Sequence, residues 1–264
     1  MSPYRTNIMN TEEEVGYLRR LLVSNKEETE QLNRLLASAE ARLQAARGEQ
    51  APASVAVPVD LASAISDLSA AAQADWQSFY RQYFGLELNF SSLRIPERKE
   101  GFDRLLIMAA SPRVARLRAT RGQAHRPGMT ADRLFARCKE LFPCWKYENN
   151  LDSITSVREP TTDYAVWVRD RVEADEELKN KSANDLKDEG IFCITLAERL
   201  LYELKYFQES GKHLDLKNIT LCAGSRYGGG SVPGVCWDSG GLKVGYFYPG
   251  NSNDGLRARA AVYA

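Results

Sequence analysis

The hydrophobic period of this chain changes sharply at Gly211. Before it, Thr195-Leu-Ala-Glu198 is a capping box that starts a helix, and Leu196, Leu200, Leu204 and Phe207 fall on one helical stripe. Gly211 supplies the stop. After it, apolar residues alternate. Asn218 to Cys222 is a short strand, Val232 to Trp237 and Leu242 to Tyr248 flank the turn Asp238-Ser-Gly-Gly241, and Leu256 to Val262 is a final strand. The hairpin register sets Val235, Trp237, Leu242, Val244 and Tyr246 toward a core. It sets Cys236, Lys243, Gly245 and Phe247 toward solvent. A long helix followed by hairpin-connected strands implies an α+β domain.

The hairpin region also has an unusual composition. From Gly224 to Gly255 it is crowded with Gly, Ser, Tyr, Asn and Asp, and after Glu209 there is no Glu, Gln or Met. Tyr offers large contact area at low entropy cost, while Ser, Gly and Asn adapt their hydrogen bonding. Such a surface is built to touch a partner.

The N-terminal part reads differently. Val15, Leu22, Thr29, Leu36 and Leu43 share one heptad position over residues 12–46, and Leu18, Asn25, Leu32, Ala39 and Ala46 share the other. Charged residues flank this seam, so a coiled coil over 1–46 is expected, giving a homo-oligomer, dimer or trimer. The polar Asn25 would fix register at some cost in stability. Residues 47–60 carry two prolines and read as a linker. The domain is expected over 61–264.

Within that domain, a helix over about 61–84 places Trp76, Phe79, Tyr80, Tyr83 and Phe84 on one face for core packing. Strands are expected from Phe102 and from Tyr164, with Tyr164, Val166 and Val168 on one side. Met129 to Phe142 reads as a helix capped by Thr130. The mixed charges of Arg169 to Glu177 predict a salt-bridged turn or helix start; nothing marks a carboxylate there as catalytic. Ser111 to Gly128 holds Arg113, Arg116, Arg118, Arg121 and Arg126. This loop could contact phosphates, although a solvated loop is the commoner outcome of such a cluster.

The chain's 264 residues carry zero formal net charge, so no overall field draws it to nucleic acid or an anionic membrane. There is no export signal and no apolar run of about eighteen residues, which predicts a cytoplasmic or virion-associated protein and no membrane partner. Five cysteines without a CxxC pair read as free thiols. Two histidines, without clustered cysteines, give no zinc pattern, and no metal or cofactor is expected.

Two motifs, Val168-Arg-Asp-Arg-Val-Glu-Ala-Asp-Glu-Glu-Leu-Lys and Ile219-Thr-Leu-Cys-Ala-Gly-Ser-Arg, are followed by a Gly-rich hairpin and Leu256-Arg-Ala-Arg259. With the helix ending in Gly211-Lys-His-Leu, they resemble the C-terminal half of a C-type-lectin-like domain of the formylglycine-generating-enzyme kind. Residues of about 164–262 are similar to uncharacterised bacterial proteins that look like variable (target) proteins of a diversity-generating retroelement. In such systems an error-prone reverse transcriptase replaces adenines in a 3′ stretch of the gene. An AAC codon treated this way cannot yield Lys, Glu, Gln, Met or Trp. From Arg226 onward those five types occur only as Trp237, which is on the core register, and Lys243, which the codon argument leaves unexplained. Strands and turns also disfavour Glu, Gln and Lys, which accounts for part of the depletion.

The resemblance implies a non-enzymatic binding protein whose ligand is a protein. Its variable face, about 224–255, would comprise Tyr227, Ser231, Cys236, Asp238, Ser239, Lys243, Gly245, Phe247, Tyr248, Asn251, Asn253 and Asp254. Tyr227, Phe247 and Tyr248 would be the apolar anchors, and the coiled coil would add avidity. The calcium-binding motifs of true lectins do not occur. Two alternatives stay open: a nucleic-acid-associated protein using the Arg113–Arg126 loop, and a thiol enzyme on the same fold using Cys222 or Cys236.

Overall fold

A computed structural model of the chain describes residues 61–110, 128–159 and 161–263. The expected coiled coil with its seam from Val15 to Leu43, the linker 47–60 and the arginines Arg113 to Arg126 lie outside the described residues. The chain divides after Ser69, and Ala70–Ala264 is one compact unit.

The architecture is α+β. Helix α1 spans Leu61–Phe84, and strand β1 follows at Arg104–Met108. Helix α2 (Ala131–Leu141) leads into the short β2 (Cys144–Lys146). Strands β3 (Thr155–Ser156) and β4 (Tyr164–Val168) precede a short helix α3 (Ala183–Asp188) and the long α4 (Leu196–Ser210). The rest is strand: β5 (Ile219–Leu221), β6 (Ser225–Arg226), β7 (Val232–Asp238), β8 (Gly241–Phe247), β9 (Leu256–Ala258) and β10 (Val262–Tyr263).

Three sheets result. Strands β1-β4-β10 form an antiparallel sheet, β3 pairs with β6, and a mixed sheet runs β2-β8-β7-β5-β9. The expected last strand, Leu256 to Val262, is thus two strands in different sheets. Arg259 and Ala260 cross between them, with Ala260 bridging Cys193.

Local chemistry explains the helix ends. Thr195 accepts from Glu198 N–H while Glu198 accepts from Thr195 N–H, and Gly211 closes α4 in the left-handed region at φ 66°. Thr130 caps α2 by accepting from Arg133 N–H.

The expected single stripe on α4 is too narrow. Leu196 and the run Glu198 to Lys205 are buried, charged residues included, so this helix lies inside the domain. The aromatic face of α1 does reach the core. Trp76 Nε1 donates to Leu105 O at 3.2 Å and Tyr80 Oη to Ile107 O at 2.7 Å, so both polar handles are satisfied on β1. Strand β4 is buried on both faces from Ala165 to Val168, rather than on one. On the Ala165–Trp167 face, Trp167 Nε1 donates to Pro96 O at 2.9 Å, so chain ahead of β1 lies against it.

Charged residues inside α4 are paired. Arg199 donates to Asp215 at 2.9 Å and to Glu203 at 2.8 Å, and Arg259 donates to Asp215 at 2.6 Å. All four side chains are fully buried. Arg259 also donates to the carbonyls of Arg171 and Val172 at 2.8 Å. At the N-terminus of α4, Arg158 makes a bidentate pair with buried Glu198 at 2.7 and 2.8 Å. The expected salt-bridged turn is present, with Arg169–Asp175 at 2.5 Å and Arg171–Glu177 at 2.7 Å.

Candidate functional site: an aromatic groove beside the hairpin

The hairpin β7–β8 forms as its alternation requires. Val235 pairs with Val244 and Trp237 with Leu242. Ser239 (φ 52°) and Gly240 (φ 77°) give the two successive positive φ values of a tight hairpin turn. Val235, Leu242 and Val244 are fully buried. Trp237 is half-buried and stacks on His213, with ring centroids 3.3 Å apart and planes 8° from parallel. His213 Nδ1 lies 2.9 Å from Glu203, so the ring is held from both sides.

The two assigned faces need correction at their far ends. Tyr246 keeps the core register, but the core ends at Val244 and its side chain is 39% exposed. The opposite face is not open to solvent throughout. Phe247 packs there beside a second apolar cluster of Ala183, Leu221, Val232 and Leu256. Its ring covers Gly234, where a Cβ would lie 2.3 Å from it. Phe247, expected as a ligand anchor, is thus partly engaged in packing.

Other expected residues are engaged locally. Asp238 binds Lys243 in a close ion pair across the turn and accepts from Ser239 Oγ at 3.0 Å. Asn253 Oδ1 accepts from Gly255 and Leu256 N–H at 2.9 and 3.1 Å, so it shapes its own loop. Asp254 accepts from Asn180 at 2.6 Å. Asn251 is exposed, with its backbone N–H on Tyr248 O at 2.9 Å. Cys236 is half-buried beside Lys243 on the adjacent strand.

What the tertiary structure adds is β2. It pairs in parallel with the outer edge of β8, setting Trp145 opposite Lys243 and Lys146 opposite Val244. Tyr147 then donates its N–H to Val244 O at 2.9 Å. This brings Tyr147 against Tyr246, with ring centroids 4.4 Å apart, and Tyr248 is edge-on to Tyr246 at 6.2 Å. Trp145, Tyr147 and Tyr248 are 54%, 56% and 67% exposed.

Tyr147, Tyr246 and Tyr248 border an open groove of about 530 Å³. Tyr147, Glu148 and Ser153 line it from one side. Tyr227, Gly228, Gly229, Ser231, Tyr246 and Tyr248 line it from the other. Tyr227 Oη donates to Gly245 O at 3.1 Å, fixing that ring on the hairpin. Burial first, then Cys222, Glu148 and Tyr147, hold the Tyr227 phenol above its ordinary pKa. The groove thus unites Tyr227, Ser231 and Tyr248 of the expected face. Cys236, Asp238, Ser239, Lys243, Gly245, Phe247, Asn251, Asn253 and Asp254 are outside its lining. Tyr147 and Glu148 were not anticipated, because a three-residue strand carries no readable period, and Tyr246 was expected to face the core.

The cysteines sit in surroundings that suppress the thiolate, the reactive form. Cys222 is fully buried, and desolvation pushes its thiol up; Cys236 is raised by the same cause, then by Asp238. Among the described residues no cluster of His, Cys, Asp and Glu could hold a metal ion, and no helix is long and apolar enough to cross a membrane. No family model, curated protein or solved structure matches the chain.

Proposed function

We propose that this chain is a non-enzymatic ligand-binding protein of the retroelement-diversified kind. The described α+β domain serves as a C-type-lectin-like scaffold that displays a variable C-terminal surface, and the heptads of residues 12–46 join copies for avidity.

The observation that carries this reading is the ring of exposed aromatics at the β2–β8 edge. Exposed apolar area of this kind marks interaction sites. Tyr246 contacts both Tyr147 and Tyr248 while all three remain open to solvent. The backbone beneath them is anchored by strand pairing, so side chains can change there without moving the scaffold. Glycines 228, 229 and 245 add positions where a built Cβ meets nothing.

The test is genetic. The DNA downstream of the gene should hold a near-identical repeat differing at adenines, next to a reverse transcriptase gene. Sibling copies should differ in the C-terminal part of the groove and not in the buried ion-pair network. Differences spread evenly along the chain would sink the proposal.

A further inference from the structure

The groove joins two kinds of surface. Tyr227, Ser231, Tyr246 and Tyr248 belong to the stretch that lacks Glu, Gln and Met. Tyr147 and Glu148 come from the segment after β2, outside that stretch. Glu148 is the one charged side chain in the lining among the described residues, and it is half-buried. One hydrogen bond engages its carboxylate, from Asn150 N–H at 3.3 Å. The neighbouring Lys146 is occupied by Asp132 and the Asn149 carbonyl. Glu148 therefore faces the groove without a counter-charge among the described residues.

Aromatic faces carry negative potential, and a carboxylate beside them deepens it. Two of the lining hydroxyls share this bias. Tyr227 and Ser153 already donate, to Gly245 O at 3.1 Å and Asn150 O at 2.6 Å, which leaves their oxygens as acceptors. An anion would meet repulsion. A wholly apolar group would strip water from Glu148 without replacing it. A planar guanidinium satisfies both demands, since it stacks on a ring face and donates in a fork to a carboxylate.

We propose that the groove takes the guanidinium of an arginine side chain presented by a partner protein, with Glu148 as its counter-charge and Tyr147, Tyr246 and Tyr248 as its ring faces. This rests on the binding reading above and names the chemistry of the same groove. Because Glu148 lies outside the diversified stretch, the preference for a cation would be common to all siblings. Diversification would then alter the shape around a constant charge.

The full-length protein should be titrated with N-acetyl-arginine amide, its neutral isostere N-acetyl-citrulline amide and the lysine amide, following tyrosine fluorescence and NMR shifts. The arginine compound should bind at the groove, at least roughly tenfold more tightly than citrulline. Glu148→Gln should remove that advantage while leaving the melting temperature unchanged. Tyr147→Ala should weaken binding, and Glu140→Gln, an exposed carboxylate outside the groove, should not. Equal binding of citrulline, equal binding of lysine, an unaffected Glu148→Gln variant, or no groove shift with any compound would each overturn the assignment. If citrulline binds equally and Tyr147→Ala weakens it, the groove stands and only the cation falls. The diversification reading is decided separately by the sibling genes.

Discussion

Arg259 donates to Asp215 across 2.6 Å, and neither side chain is exposed. The contact ties the crossover between β9 and β10 to the loop after α4. Asp215 is also held by Arg199 at 2.9 Å and Thr220 at 2.5 Å, and it holds a left-handed backbone at φ 56°. Removing one partner leaves a buried charge unmatched, which costs about 3–5 kcal/mol. Arg259→Ala should lower unfolding stability by that amount in a urea titration. A loss under about 1 kcal/mol would show that water or rearrangement rescues the site.

Acid should unfold the domain through the same carboxylates. At Asp215 burial opposes ionisation, but Arg259 and Arg199 outweigh it and hold the group below its ordinary pKa. At Glu198 burial is likewise outweighed, by Arg158 and then by hydrogen bonds from Thr195 and Tyr164. A carboxyl with a lowered folded-state pKa stabilises fully above its unfolded value of about 4. That stabilisation is lost as pH falls through the folded value. Thermal melts should therefore hold steady between about pH 7 and pH 5 and fall steeply below about pH 4. Glu198→Gln should flatten the acid limb; a limb of unchanged steepness would remove Glu198 from this account.

Glycines divide into those that can vary and those that cannot. At Gly224 a Cβ would lie 2.8 Å from the Cys193 carbonyl oxygen, a backbone atom, and at Gly241 3.0 Å from that of Pro143. Gly224→Ala should cost roughly 1–3 kcal/mol by overpacking. Gly228 and Gly229, with open space, should accept Ser or Tyr with melting temperatures nearly unchanged. Sibling copies should show the same division. Variation at Gly224 with retained stability would contradict it.

Thiol chemistry offers a separate check. Burial pushes the Cys193 thiol up to about 12 and raises Cys222 and Cys138 as well. Iodoacetamide at neutral pH should label these three at least roughly a hundredfold more slowly than a free cysteine, read by mass spectrometry. Rapid labelling of Cys222 in the folded protein would revive it as a reactive centre.

Much of the domain was legible locally. The α4 capping box, Gly211 as its stop, the Thr130 cap, the aromatic face of α1 and the β7–β8 hairpin all follow from residues close in sequence. The face assignment failed where coverage depends on distant chain. Tyr246 lies beyond the end of the core, and Phe247 finds Gly234 and the cluster under α3. Alternation says which residues share a face, not which face is covered.

The charges in α4 teach the same lesson. Arg199 and Glu203, four residues apart, would read as a solvated pair on any surface helix. Asp215 and Arg259 approach from far along the chain and make the pair interior.

By itself, then, the sequence determined the α+β class, the helix ends, the hairpin register and a contact-rich C-terminal composition, because capping, turn geometry and alternation act over a few residues. Tertiary structure alone decided that three residues, Cys144 to Lys146, add a parallel strand to β8 and carry Tyr147 and Glu148 to Tyr227 and Tyr246. Parallel pairing joins segments about a hundred positions apart through backbone hydrogen bonds that any side chains can make, so no local pattern announces it.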